Sequence, residues 1–135
     1  MPRQSKYKDN SNPTNKILYK AAIYIRLSVE DGDKEESNSV TNQRMLLNEF
    51  LKDNQDIELY DYYIDDGFSG TDFSRPAFER LLNDLYEKKF NTLIVKDLSR
   101  LGRNYIEVGN YIEKIFPLFN IRFIAINDQI DSIKN

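Results

Sequence analysis

From Lys20 onward, apolar and polar residues follow two alternating rhythms. "AAIYIRLS" (21–28) is a short run of apolar, β-branched and aromatic residues, which predicts a buried strand. The polar, acidic "EDGDKEESNS" (30–39) reads as a loop. Over 39–54, apolar residues at Val40, Met45, Leu46, Leu47, Phe50 and Leu51 come close to helical spacing, with Ser39 as N-cap and Gln43 in the first turns. "IELYDYYI" (57–64) predicts a second strand. "DDGFSGTDFSRP" (65–76) is then a loop of about a dozen residues, a length that often carries function in a compact domain.

The pattern then repeats. "PAFERLLNDLYEKKF" (76–90) opens with Pro at a first helical position and continues at helical spacing. "NTLIVK" (91–96) is almost continuously apolar, as buried parallel strands are. "NYIEVGNYIEKIFPLF" (104–119) predicts a helix with Pro117 near its end, and "IRFIAIN" (121–127) a fourth strand. The order β-α-β-α-β-α-β with short connections predicts an α/β fold. Its three layers are a mainly parallel central sheet of about four to five strands and helices on both faces. The functional crevice of such a sheet lies at the carboxyl ends of its strands.

Composition narrows the chemistry. The chain has 135 residues, enough for one domain with a real core, and contains neither Cys nor His. Disulfides, thiolate ligands, the commonest metal ligand and the usual general base are thereby excluded. The missing Cys also suits a reducing cytoplasm. No apolar stretch approaches the roughly 20 residues that span a bilayer, so no membrane partner is expected. Residues 1–19 read as a disordered basic arm and 20–135 as the folded domain. Positions 1–20 hold five basic residues and one acid, leaving 14 basic and 21 acidic residues in 21–135, a net of −7. Phosphate contacts must then come from local arginine placement rather than a generally basic surface.

That placement is specific. Arg26 and Ser28 fall at the carboxyl end of the first strand, Arg75 in the loop after the second, and Arg100 and Arg103 after the third. The topology brings all five to one edge of the sheet. Residues i and i+2 on a strand share a side, as Arg26 and Ser28 would, and i and i+3 share a helical face, as Arg100 and Arg103 would. Guanidiniums around one hydroxyl suit phosphoryl transfer. They grip phosphate oxygens in pairs, remain charged throughout, and stabilise a pentavalent transition state by fixed electrostatics, with the serine as nucleophile. Taken singly, Arg26 with Ser28 is also an ordinary surface pair, and Arg100 with Arg103 a solvated face. It is the topology that joins them.

In order, "YIRLS", "NQR", "DDGFSGTDFSRPAFERLL" and "LIVKDLSRLGRN" resemble the catalytic domain of the serine recombinases, the resolvase/invertase family, over about 21–128. The likeness is greatest to the large serine recombinases of conjugative and mobilisable transposons and phages. The resemblance implies that Ser28 attacks a DNA phosphodiester, leaving a 5′-phosphoserine and a free 3′-OH. Arg26, Arg100 and Arg103 match the family's phosphate-binding arginines, Arg75 its loop arginine, Gln43 a glutamine that organises the site, and Ser69 a hydroxyl in the loop. It further implies no metal or other cofactor and, as partner, double-stranded DNA at specific recombination sites. Self-association as a dimer and then a synaptic tetramer is implied too, with a cytoplasmic setting. Because family members continue into a long subunit-contact helix and DNA-binding regions, the resemblance also implies that this chain is a catalytic fragment of a longer recombinase.

One position departs from the family. Ser99 stands where resolvases commonly carry an Asp before the first arginine of "RLGR", and Asp97, two residues earlier, is expected to point elsewhere unless the chain shifts locally. Two rivals remain at this point. One is a resolvase-like binding or regulatory module without chemistry. The other is a receiver-like phospho-acceptor domain using Asp65 and Asp66, acids that otherwise read as loop-capping residues.

Overall fold

The computed structural model describes residues 18–27, 39–66, 75–102 and 104–134. Five strands form one sheet in the order β2-β1-β3-β4-β5. They are β1 (Tyr19–Arg26), β2 (Ile57–Asp65), β3 (Thr92–Val95), β4 (Arg122–Ala125) and β5 (Ile130–Asp131). The first four pair in parallel, and β5 runs antiparallel on the β4 edge. The sheet therefore matches the expected mainly parallel architecture, with a two-residue fifth strand that has no periodicity to betray it. β1 begins at Tyr19, inside the stretch expected as arm, because Tyr19 and Lys20 pair with Ile57 and Glu58 through their backbones whatever their side chains.

Strand alternation sorts the core into two faces. Ala21, Ile23 and Ile25 point to one side and pack with Leu47 of α1 (Val40–Lys52). Ala22 and Tyr24 point to the other, against Phe78, Leu81 and Leu85 of α2 (Pro76–Tyr86) and against Phe116. Each fully buried Ile, Leu or Phe among these contributes about 1.5–3 kcal/mol. Ser39 caps α1 by accepting from the Asn42 N–H at 3.1 Å, and Pro76 occupies the first turn of α2, both as the sequence predicts.

The last helical run, 105–118, is not uniform. It consists of α3 (Tyr105–Asn110), a π segment (Tyr111–Ile115) and a closing turn, α4 (Phe116–Leu118). Pro117 has no N–H to give the Glu113 carbonyl, so a regular α ladder cannot pass this point. The Phe116 N–H instead reaches back to the Tyr111 carbonyl. Among the described residues, no helix is long and apolar enough to cross a membrane.

Strand order reverses direction between β1 and β3, since β2 lies on one side of β1 and β3 and β4 on the other. In open parallel sheets this switch opens a crevice at the carboxyl edge, and Arg26 ends β1 at that edge.

Candidate active site at the carboxyl edge

β3 is followed at once by a 3₁₀ turn, Leu98–Arg100. Two side chains set this turn. Asp97 accepts from the Ser99 N–H at 3.1 Å and from the Ser99 hydroxyl, while Asp128, from beyond β4, accepts from the Leu98 N–H at 2.7 Å. The Asp97 carboxylate also lies 3.4 Å from Arg100 Nε. The local shift on which the direction of Asp97 depended is present: capping the turn directs its carboxylate toward Arg100.

Arg26 and Arg100 are buried, with 6% and 3% of their surface exposed, and each guanidinium hydrogen-bonds the other residue's stretch of backbone. Arg26 Nε donates to the Arg100 carbonyl at 3.3 Å and Nη2 donates to the Ser99 carbonyl. In return, Arg100 Nη1 donates to the Arg26 carbonyl at 2.7 Å. Desolvating a guanidinium is costly unless its N–H groups find acceptors, and backbone carbonyls supply several of them here, with the Asp97 carboxylate beside Arg100 Nε. Gln43, fully buried on α1, donates from Nε2 to the same Arg26 carbonyl at 3.3 Å, so the opposite face of the sheet also braces this strand end.

Arg75 joins from the N-cap position of α2. Its Nη1 donates to the carbonyls of Leu101 at 2.6 Å and Arg100 at 3.3 Å, and its guanidinium carbon lies 4.1 Å from the centre of the Phe78 ring. Among the described residues no acceptor is assigned to its Nε or Nη2. Three of the predicted arginines, Arg26, Arg75 and Arg100, and the supporting Gln43 thus meet through the backbone of residues 26 and 99–101. Ser28, Ser69 and Arg103 lie outside the described residues.

Two contributors escaped the sequence reading. The Tyr24 hydroxyl donates to Asp65 Oδ2 at 2.7 Å, and the same carboxylate accepts the N–H groups of Ala77 at 2.9 Å and Phe78 at 3.0 Å. Asp65 therefore caps helix α2 rather than the loop that follows it. Arg75, the N-cap residue, offers no side-chain cap of its own. Burial first, then the Asp65 charge and hydrogen bond, outweigh Arg75 and Arg26 and push the Tyr24 hydroxyl well above the ordinary tyrosine range, so it remains a donor. A signal for Tyr24 was present, since it precedes Arg26 by two on the same side of β1. With three donors on its oxygens, Asp65 is committed to this cap. Among the described residues, no cluster of three or more carboxylates is arranged to hold a metal ion.

The family described as "Resolvase, N terminal domain" matches residues 21–135. Among solved structures, the N-terminal catalytic domain of TP901-1 integrase is 33% identical with a TM-score of 0.71, and the match covers 84% of this chain and 82% of that one. A resolvase family site-specific recombinase from Streptococcus pneumoniae is 28% identical with a TM-score of 0.70, over 89% and 78% of the two chains. The C-terminal catalytic domain of ISC1926 TnpA, an IS607-like serine recombinase, shares the fold at 21% identity and a TM-score of 0.62, over 79% and 69%. With its arginines gathered where the sheet reverses, the chain belongs to the resolvase family of serine recombinases and carries that family's catalytic domain.

Proposed function

We propose that the chain cleaves and rejoins DNA at specific recombination sites, with Ser28 as nucleophile. The observation that carries this reading is the meeting of Arg26, Arg75 and Arg100, from three separate segments, at the crevice edge of a resolvase-family domain, with Ser28 two residues beyond Arg26. Ser28 Oγ forms a bond to phosphorus as the P–O3′ bond breaks. The products are a 5′-phosphoserine and a strand ending in 3′-OH, and the serine proton balances the one the leaving oxygen acquires. Rejoining reverses the step: a 3′-OH attacks the phosphoserine and releases the serine. Because each step exchanges one phosphate diester for another of similar energy, it requires no nucleotide.

The arginines act by position and charge. Two are held in place by backbone carbonyls before any substrate arrives, so little reorganisation is needed as charge builds on the phosphoryl oxygens. A guanidinium also remains charged at any working pH. Arg103 and Ser69 complete the set in this reading, which uses no metal. The net acidic 21–135 stretch suits a division of labour in which DNA affinity and site choice reside in regions beyond this domain, and in which two and then four subunits assemble on DNA.

The test is a nicked target duplex presented to the intact recombinase, or to this chain fused to a sequence-specific DNA-binding module, in EDTA. A covalent protein–DNA band mapped by mass spectrometry to Ser28 through a 5′-phosphate, and absent in Ser28→Ala, is the expected result. Binding and synapsis without an adduct would instead support the regulatory module, and cleavage that demands Mg²⁺ would end the metal-free mechanism.

A further inference from the structure

Within the cleavage reading above, we propose that Asp65 is a positioning residue that acts through Arg75, by holding the first turn of α2 on which Arg75 sits. Asp65 closes β2 and is 7% exposed. Its carboxylate receives the Tyr24 hydroxyl of β1 and two N–H groups of α2, so three elements are tied at one side chain. Among the described residues no other side chain caps this helix, since Arg75 makes no side-chain bond to its own first turn. The first N–H groups of a helix lack partners within it, and a carboxylate there also meets the positive end of the helix dipole.

The link to Arg75 runs through Phe78. Asp65 accepts the Phe78 N–H, and the Phe78 ring is the surface on which the Arg75 guanidinium rests, 4.1 Å away. From that seat Nη1 reaches the carbonyls of Arg100 and Leu101. Tyr24 lies beneath, its ring centre 5.1 Å from that of Phe78 and 6.0 Å from the Arg75 guanidinium carbon. Removing the Asp65 carboxylate frees the first turn of α2 while leaving Arg26 and Arg100 bonded to each other's backbone. Asp65 thus controls one arginine of the site separately from the other two. Its own oxygens are already taken by three donors from β1 and α2.

A double-mutant cycle in the intact recombinase on the nicked duplex tests this, with single-turnover cleavage scored per folded molecule. Displacement of a positioning group by about 1 Å can cost of the order of 10²-fold, and a loss of that size is expected for Asp65→Ala. In an Arg75→Ala background, Asp65→Ala should then change the rate by less than about twofold. Asp65→Asn keeps a capping acceptor and should recover most of the rate, which also serves where Asp65→Ala folds poorly. The side-chain Nε–H signal of Arg75 in arginine-labelled protein should move toward that of a solvated arginine in Asp65→Ala, while those of Arg26 and Arg100 stay. If the unmodified enzyme forms the Ser28 adduct but the Asp65 and Arg75 losses multiply, the positioning role is overturned and the cleavage reading stands. If the unmodified enzyme forms no adduct, the cleavage reading falls and takes this role with it.

Discussion

Arg122, at the amino end of β4, and Arg100, just beyond the carboxyl end of β3, are both buried, at 6% and 3% exposure, yet their charges are handled differently. Arg122 grips Asp131 with two bonds, Nε to Oδ1 at 3.0 Å and Nη2 to Oδ2 at 2.7 Å. Asp56 stands 4.0 Å from its Nη1, and the Tyr19 ring covers it, with 4.4 Å from ring centre to guanidinium carbon. Two carboxylates close the charge, and the product is a clamp fastening β5 to β4. At the other edge, the bonds described for Arg26, Arg75 and Arg100 go to backbone carbonyls, with Asp97 near Arg100. A carbonyl satisfies an N–H and leaves the formal charge standing. A buried arginine is thus a fastening when two carboxylates close on it, whereas one bonded mainly to backbone carbonyls keeps more of its charge for the anion that the proposed cleavage would bring.

The largest effect should come from replacing the fork at the carboxyl edge. Lysine at position 100 keeps the charge but cannot bond the Arg26 carbonyl and face a phosphate in the same planar geometry. Losing one preorganised donor to a developing oxyanion typically costs about 10²–10³ in rate, and Arg100→Lys should fall in that range in single-turnover cleavage. The counterpart, Arg122→Lys, should leave the rate per folded molecule unchanged. Equal losses at both positions would break the distinction.

Next in size is a stability effect confined to the amino edge. Removing one member of a buried ion pair costs about 3–5 kcal/mol, because the other is left charged in a dry setting. Arg122→Ala should approach the lower end, read as a fall in the urea midpoint. Replacing both members together, Arg122→Met with Asp131→Leu, should recover most of it. Acid sharpens the same point. Burial works against ionisation of Asp131, but the Arg122 hydrogen bonds and charge outweigh it, with help from the Ile133 N–H and Lys134, and hold its carboxyl below the ordinary carboxylate value. A pKa lowered by folding stabilises the protein above the unfolded value, and that stability is lost as pH falls through the lower, folded one. The gap in urea midpoint between wild type and Asp131→Asn should therefore be constant near neutrality and close only in strong acid.

Much of the carboxyl edge was legible because strands and the residues after them are local in sequence. The apolar runs located β1 to β4, and the βα order alone placed Arg26, Arg75 and Arg100 at one edge. What escaped notice depends on distant partners. Asp65 looked like a loop cap, since nothing in "DDGFSG" says that the chain returns to offer the N–H groups of Ala77 and Phe78. β5 has two residues and no period, and exists through its pairing with β4 and the Arg122–Asp131 clamp. The π segment follows from Pro117, which the sequence showed near the helix end, but Pro alone does not tell whether a helix stops or shifts its hydrogen bonds. Here α4 carries it one residue further, to Leu118.

The smallest effect belongs to a third environment, the exposed arginine. Arg80 on α2 lies 3.4 Å from Asp61, with side chains 51% and 53% exposed, and 4.1 Å over the Tyr63 ring. Water screens both charges before they meet, so the pair should couple by no more than about 0.5 kcal/mol in a double-mutant cycle of Arg80→Ala and Asp61→Ala. That coupling should fall as salt is raised, unlike the loss at Arg122, where solvent is excluded. Cleavage should not respond, because Arg80 points its charge at strand β2 and the solvent rather than at the crevice. Fastening, anion site and solvated pair would then be separated by burial and by the partner's charge, with the residue type held constant. An Arg80 coupling as large as the Arg122 loss would mean that burial is not what sets the scale.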